Sequence, residues 1–203
     1  MREIKIEAYS FEELSKEIQD KIIEKNRHVD VEGEWWSEDI IEEFIEEVSE
    51  KGFQATKVYF SGFWSQGDGA MFEYSDLEDS LLDEFADSLN ISPMRKKWLK
   101  RWGFVSGKGR QSGHYSHERS CTHHSDLEAD CGIDAYPNLA DFIVNYDDEF
   151  YKFVEDKYIG IAQELYATLE KEYEYKTSDE VVKQAVESFD CIYNKQGIDI
   201  TSI

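Results

Sequence analysis

Three features of this sequence predict an α+β fold: a small, mainly antiparallel sheet covered by amphipathic helices, with a long C-terminal helical segment. Apolar residues recur at helical spacing in several segments, three of them preceded by capping-box residues. A stretch rich in β-branched and aromatic residues flanks a Gly-Asp-Gly turn between two of these segments. Aromatic residues make up 14% of the 203 positions, enough large apolar surface for a core despite 33% charged residues, which excludes global disorder. The helical stripes need a shared surface to bury against, and a sheet supplies one. No internal repeat or low-complexity linker interrupts the chain, so residues 1–203 are expected to form a single α+β domain.

In chain order, residues 3–8 alternate Ile4, Ile6 and Ala8 with Glu3, Lys5 and Glu7, the period of a half-buried strand. Ser10 and Glu13 stand at capping-box spacing, and Phe11, Leu14, Ile18 and Ile22 carry a helix to about residue 27. After a polar break at Gly33, Trp36, Ile40, Phe44 and Val48 mark the apolar stripe of a second helix, which stops near Gly52. Residues 53–64 and 70–74 read as two strands around the glycine turn. Ser75 and Glu78 repeat the capping box ahead of Leu77, Leu81, Phe85 and Leu89. Ser92-Pro93 opens a short helix with proline at its first position, and Gly103 ends it. Residues 104–132 hold a further strand or hairpin broken up by Gly107, Gly109 and Gly113. From about 138 to 173 the pattern is helical, as one helix or as two parted at Gly160. Thr177 and Glu180 form a third capping box, and 192–200 reads as a final edge strand.

Charge narrows the function classes. The formal net charge is -23, so a bare nucleic-acid backbone is repelled and no direct nucleic-acid binding is expected. The distribution is uneven: residues 93–119 carry eight bases against one acid, and the rest of the chain carries -30. On the second helix, Glu38, Glu42, Glu43, Glu46 and Glu47 lie on the outer face and are the candidate partner-binding residues. An acidic face of this kind serves solubility, or it imitates a phosphate backbone and occupies a nucleic-acid groove in another protein. No apolar run reaches the length of a membrane span and no signal peptide opens the chain, so a cytoplasmic protein without membrane partners is expected. Three cysteines without a CxxC pair support no disulfide framework.

Two constellations bear on chemistry. In the 60–72 segment, Gly67 and Gly69 flank Asp68, whose carboxylate can bond backbone N–H groups in the turn. Read functionally, Ser65, Gln66 and Asp68 offer donors and acceptors to a small ligand beside the stacking face of Trp64. No Gly-Lys-Ser/Thr follows, so this is not a P-loop. The second constellation gathers His114, His117, Cys121, His123, His124 and Cys131, side chains of the types zinc prefers, at spacings that fit no standard zinc template. A regular strand at 114–120 would put His114 and His117 on opposite faces, so no metal site and no cofactor are expected. Lys108, Arg110 and Arg119 complete an anion-binding set with His114 and His117, provided that the two glycine-rich segments sit side by side. Acyl-transfer chemistry has no sequence support, and no catalytic residue is assigned.

The Phe-Ser-Gly-Phe-Trp-Ser-Gln-Gly-Asp-Gly-Ala block at 60–70, Trp35-Trp36, Ser-Gly-His-Tyr-Ser-His at 112–117 and Glu-Tyr-Glu-Tyr-Lys-Thr-Ser-Asp-Glu at 172–180 together resemble a group of uncharacterised bacteriophage and prophage proteins. The resemblance implies a phage origin and a setting in the cytoplasm of an infected bacterium, and it transfers no catalytic residue. Joined to the acidic surface, it leads to the expectation of a non-enzymatic inhibitor of a host defence factor that handles nucleic acid, of CRISPR or restriction type. The alternative is a nucleotide-binding or sequestering module, or a metal-assisted hydrolase, built on the 64–68 turn and the 108–119 segment.

Overall fold

A computed structural model of the chain describes residues 7–33, 35–133 and 136–201, the side chain of Cys131 excepted. In chain order the elements are α1 (Lys16–Lys25), α2 (Glu38–Glu50), β1 (Phe53–Ser61), β2 (Gly69–Leu77), α3 (Asp79–Ser88), α4 (Pro93–Trp102), β3 (Gly103–Gln111), β4 (Cys121–Ala129), α5 (Pro137–Val144), α6 (Asp147–Lys176) and α7 (Asp179–Ser188). The fold is α+β, with one four-stranded antiparallel sheet of order β1-β2-β3-β4 among the described residues. The chain groups into two compact units, residues 39–168 and residues 1–38 with 169–203.

The larger unit holds the sheet. β1 and β2 pair from Ser61↔Gly69 to Phe53↔Leu77 with irregularities around Ala55, and β3 and β4 pair without a break from Gln111↔Cys121 to Gly103↔Ala129. Between these two ribbons only Tyr74↔Gly109 is in register. Gly107 and Gly109 do not break a strand, as expected from sequence, but lie within β3 as gaps for side chains. A Cβ on Gly109 would collide with the Tyr74 ring and stand 2.8 Å from Cys121 Sγ, and one on Gly107 would stand 2.7 Å from Leu77.

Below Tyr74↔Gly109 the ribbons part, and the Tyr158 side chain from α6 closes the seam. Its hydroxyl accepts from Phe72 N (3.0 Å) and donates to Phe72 O (2.8 Å), satisfying both backbone groups in the interior. The Tyr158 ring packs on Phe72 at 4.4 Å between centroids, and Phe53 meets Phe72 and Tyr74 edge-on at 5.7 and 5.1 Å. α6 runs unbroken through Gly160, whose missing Cβ faces open space.

The helical capping signals are partly displaced. Ser92 caps α4 as expected, accepting from Arg95 N with Pro93 at the first position. The Ser75–Glu78 box does not open α3: pairing with β1 keeps Ser75 and Leu77 in β2, and the helix starts at Asp79. Lys96 donates to the Asp87 carbonyl at 2.7 Å and Lys100 pairs with the Asp87 carboxylate at 2.9 Å, so cations of α4 meet the negative end of α3.

In the smaller unit, Phe11, Leu14, Ile22, Ile23, Val182, Val186 and Tyr193 form the core. Arg27 donates to Thr177 O and pairs with Asp179, fastening α1 to the start of α7. The first expected helix is split into a 3-10 turn at Phe11–Glu13 and α1. The expected strand at 3–8 falls on residues 3–6, outside those described; its last two residues, Glu7 and Ala8, are not in a strand. The tail is reduced from a strand to isolated bridges, Tyr9↔Tyr193 and Tyr193↔Asp199.

Two substitutions on α6 test this account by urea unfolding. Tyr158→Phe keeps the ring but leaves Phe72 N without its partner and Phe72 O with only the weak Cys121 thiol at 4.0 Å, and is expected to cost roughly 2 to 3 kcal/mol. Gly160→Ala fills open space in a helix interior and is expected to stabilise by about 0.5 to 1 kcal/mol.

Candidate functional site

α2 turns Phe44 and Val48 into the core, which leaves Glu42, Glu43, Glu46 and Glu47 exposed, with Glu38 exposed at the helix start. None of these five glutamates makes an ion pair among the described residues. Glu38, Glu42, Glu43 and Glu46 have other acids as their i+4 neighbours, Glu47 has Lys51, which pairs with Glu164 instead, and the last turn of α2 holds no base, so Glu46 and Glu47 carry their charge near the negative end of the helix dipole. A small cavity of about 230 Å³ lies between Glu43 and Glu47 on α2 and Glu164 and Thr168 on α6.

The two glycine-rich loops do sit side by side. Tyr115 lies 3.6 Å from where a Cβ on Gly67 would be, and the His117 backbone 3.1 Å from that of Gly69. Asp68 is committed to its own turn: its carboxylate accepts from Trp64 N at 3.0 Å and Ser65 N at 2.6 Å, and it occupies the space that a Cβ would need at Gly62, which takes a positive φ of 32°. Trp64 is 70% exposed, and Ser65 and Gln66 are exposed beside it. Lys108 and Arg110 are exposed on β3 opposite His124 and Thr122, and Arg119 is exposed in the β3–β4 loop; none of the three bases makes an ion pair among the described residues. His114 is exposed. His117 Nδ1 stands 3.1 Å from Arg119 N and 3.2 Å from Glu118 Oε2, so a bare Nδ1 accepts the N–H and a protonated one donates to the carboxylate.

Residues 114–120 form no strand: β3 ends at Gln111 and 112–117 form an irregular loop. On β4 the alternation sends Cys121 and His123 inward and His124 outward, so the zinc-type side chains scatter. Among the described residues no three His, Cys, Asp or Glu side chains gather as metal ligands do.

Sequence reasoning missed the buried polar cluster that results. His123 Nδ1 lies 3.2 Å from the Tyr74 hydroxyl and 3.8 Å from Cys121 Sγ, and its ring stands edge-on to Tyr158 at 4.3 Å. Burial pushes the Cys121 thiol up to about 11 and lowers His123 to about 4, and it raises both tyrosines. A neutral thiol beside a neutral imidazole is not an activated nucleophile, so the cluster is a structural polar layer. Ser125, next along the inward face, buries its hydroxyl with no hydrogen-bond partner among the described residues.

A second feature lies at the start of the basic segment. α4 and α5 form an open cleft of about 820 Å³, in which Met94, Trp98, Trp102, Tyr136 and Leu139 meet Lys97 and Arg101. It adjoins a cavity of about 440 Å³ where Arg95 and Phe142 join Trp98 and Tyr136.

Comparison with protein families matches residues 36–179, well over half of the chain, to a domain of unknown function, DUF8835. The chain belongs to the DUF8835 family. The match takes in α2 to α6 of this DUF8835 protein, and with them the acidic face, the adjoining loops, the buried cluster and the α4–α5 cleft. Comparison with curated proteins and with solved structures returns no match.

His123 makes the DUF8835 fold sensitive to acid. Its folded value lies below its unfolded one, near 6.5, so the unfolded chain binds the extra proton, and stability is lost as pH falls from 6.5 toward 4. Denaturant titrations at pH 7 and pH 5 are expected to differ by roughly 2 kcal/mol from this residue. His123→Gln is expected to remove that share of the pH dependence.

Proposed function

We propose that this DUF8835 protein is a phage-derived interaction protein that binds the cationic nucleic-acid groove of a host defence factor and blocks it. One observation carries the reading: Glu42, Glu43, Glu46 and Glu47 form an exposed acidic face, with Glu38 beside them on the same helix, and no base on α2 compensates it. Carboxylates on a rigid helix hold their spacing without partners, as phosphates do on a backbone. Like-charge repulsion costs the free protein stability, and a cationic partner relieves it, so binding gains from removing a strain the fold already carries. The resemblance of the 60–70 block to phage and prophage proteins supplies the host setting.

Binding by this face is expected to weaken steeply between 50 and 300 mM salt, values chosen to span Debye lengths from about 14 to 6 Å. Glu42→Lys, Glu43→Lys, Glu46→Lys and Glu47→Lys combined are expected to abolish inhibition of the partner while leaving the folded circular dichroism intact. Inhibition that survives the reversal or ignores salt contradicts mimicry.

A second reading rests on the adjacency of the 62–69 and 112–119 loops, which puts exposed Trp64, Ser65 and Gln66 near the loop that carries His114, His117 and Arg119. There a nucleotide would stack on Trp64 and place its phosphate among the bases, with Lys108 and Arg110 on the neighbouring strand. Asp68 is not free to take part, since its carboxylate holds the turn. Native mass spectrometry of protein purified from its own host separates the readings: a bound nucleotide favours the second, and a bare chain that still inhibits favours the first.

A further inference from the structure

We propose that the α4–α5 cleft is a docking site for an acidic peptide segment with large apolar anchors, carried by a partner protein and distinct from whatever engages α2. The cleft has the composition of an interface centre rather than of free surface. Met94 is 63% exposed, Tyr136 62% and Trp98 38%, and they line one opening together with half-buried Leu139. Trp, Tyr and Arg are the residues that dominate binding energy, and Met adapts its shape to an apolar guest.

The charge at the rim selects the guest. Five bases lie on α4, and two are spent inside the fold: Lys96 and Lys100 hold the C-terminal end of α3 through Asp87. Arg95, Lys97 and Arg101 remain, exposed and without an ion pair among the described residues. Two of them are already oriented, because the Arg95 guanidinium lies over the Phe142 ring at 5.3 Å and that of Arg101 over Trp102 at 5.1 Å. A guanidinium placed over a ring keeps N–H groups for a carboxylate and loses less freedom on pairing than an unplaced one.

The same bases and aromatics would serve a single-stranded nucleic acid, but the rest of the molecule disfavours it. A polyanion spanning the cleft carries one charge per nucleotide into the field of a chain with net charge -23. A peptide needs only two or three carboxylates at the three free bases, and its affinity comes from side chains buried against Met94, Trp98 and Leu139.

The test is selection from a random 12-residue peptide library displayed on phage against the full chain, followed by fluorescence titration of the winners. The expected winners pair two large apolar residues with two or more acids. They bind roughly tenfold more weakly to Trp98→Ala and to Lys97→Glu with Arg101→Glu. Lys97→Glu alone, at an exposed position, guards against a folding artefact and is expected to weaken binding and flatten its salt dependence. The Glu42, Glu43, Glu46 and Glu47 reversal is expected to leave peptide binding in place, so failure here and failure of the acidic-face reading are told apart. An empty selection, winners without acids, indifference to the α4 variants, or a ten-nucleotide oligo-dT that binds as tightly as the best peptide each overturns the proposal.

Discussion

The larger unit depends on one hydroxyl group. β1–β2 and β3–β4 are two ribbons that meet in register only at Tyr74↔Gly109, so the Phe72 edge of β2 would face the interior with an open donor and an open acceptor. Tyr158 answers both with a single atom. That solution sets conditions elsewhere. α6 must pass directly under the seam, Gly109 must lack a side chain so that Tyr74 can lie flat against β3, and His123 must stand neutral between the two tyrosines. A buried polar layer of this kind costs free energy wherever it is left incomplete, which ties helix, seam and β4 to one arrangement.

Much of this architecture was legible in the sequence where a single physical signal dominated. The apolar stripe of α2, the Ser92 cap with Pro93 and the Gly-Asp-Gly turn each have a local cause, and local causes leave local signatures. The misreadings occur where tertiary pairing outweighed a local preference. Ser75 and Glu78 have capping-box spacing, yet Leu77 is worth more to the fold opposite Phe53 than in a first helical turn. Gly107 and Gly109 look like breakers because the reason for them, the Tyr74 and Leu77 side chains, lies on another strand. The buried cluster went unread since His and Cys suggested ligands. The signal was present in Cys121-x-His123-x-Ser125-x-Leu127, a period of two that ends on a core leucine.

Opposite charges are segregated by element. The five candidate glutamates of α2 make no ion pair among the described residues, whereas the bases of α4 divide between structure and surface, two anchoring α3, two at the aromatic cleft and Arg95 at the cavity beside it. The ligand loops lie between these cases: their glycines and Asp68 are explained by the turn itself, and the side chains of Trp64, Ser65 and Gln66 lie exposed beside it, that of Trp64 edge-on to Phe63.

The depth at which Cys121 is held also gives the molecule an internal clock. With its thiol buried and held protonated up to about 11, a thiolate-selective reagent at neutral pH finds nothing to attack until β4 comes away from the seam. Cys191 is less buried and lies in the other unit, so it reports on a different opening. Labelling of Cys121 therefore follows openings of the buried layer around it, without a substitution having to be introduced.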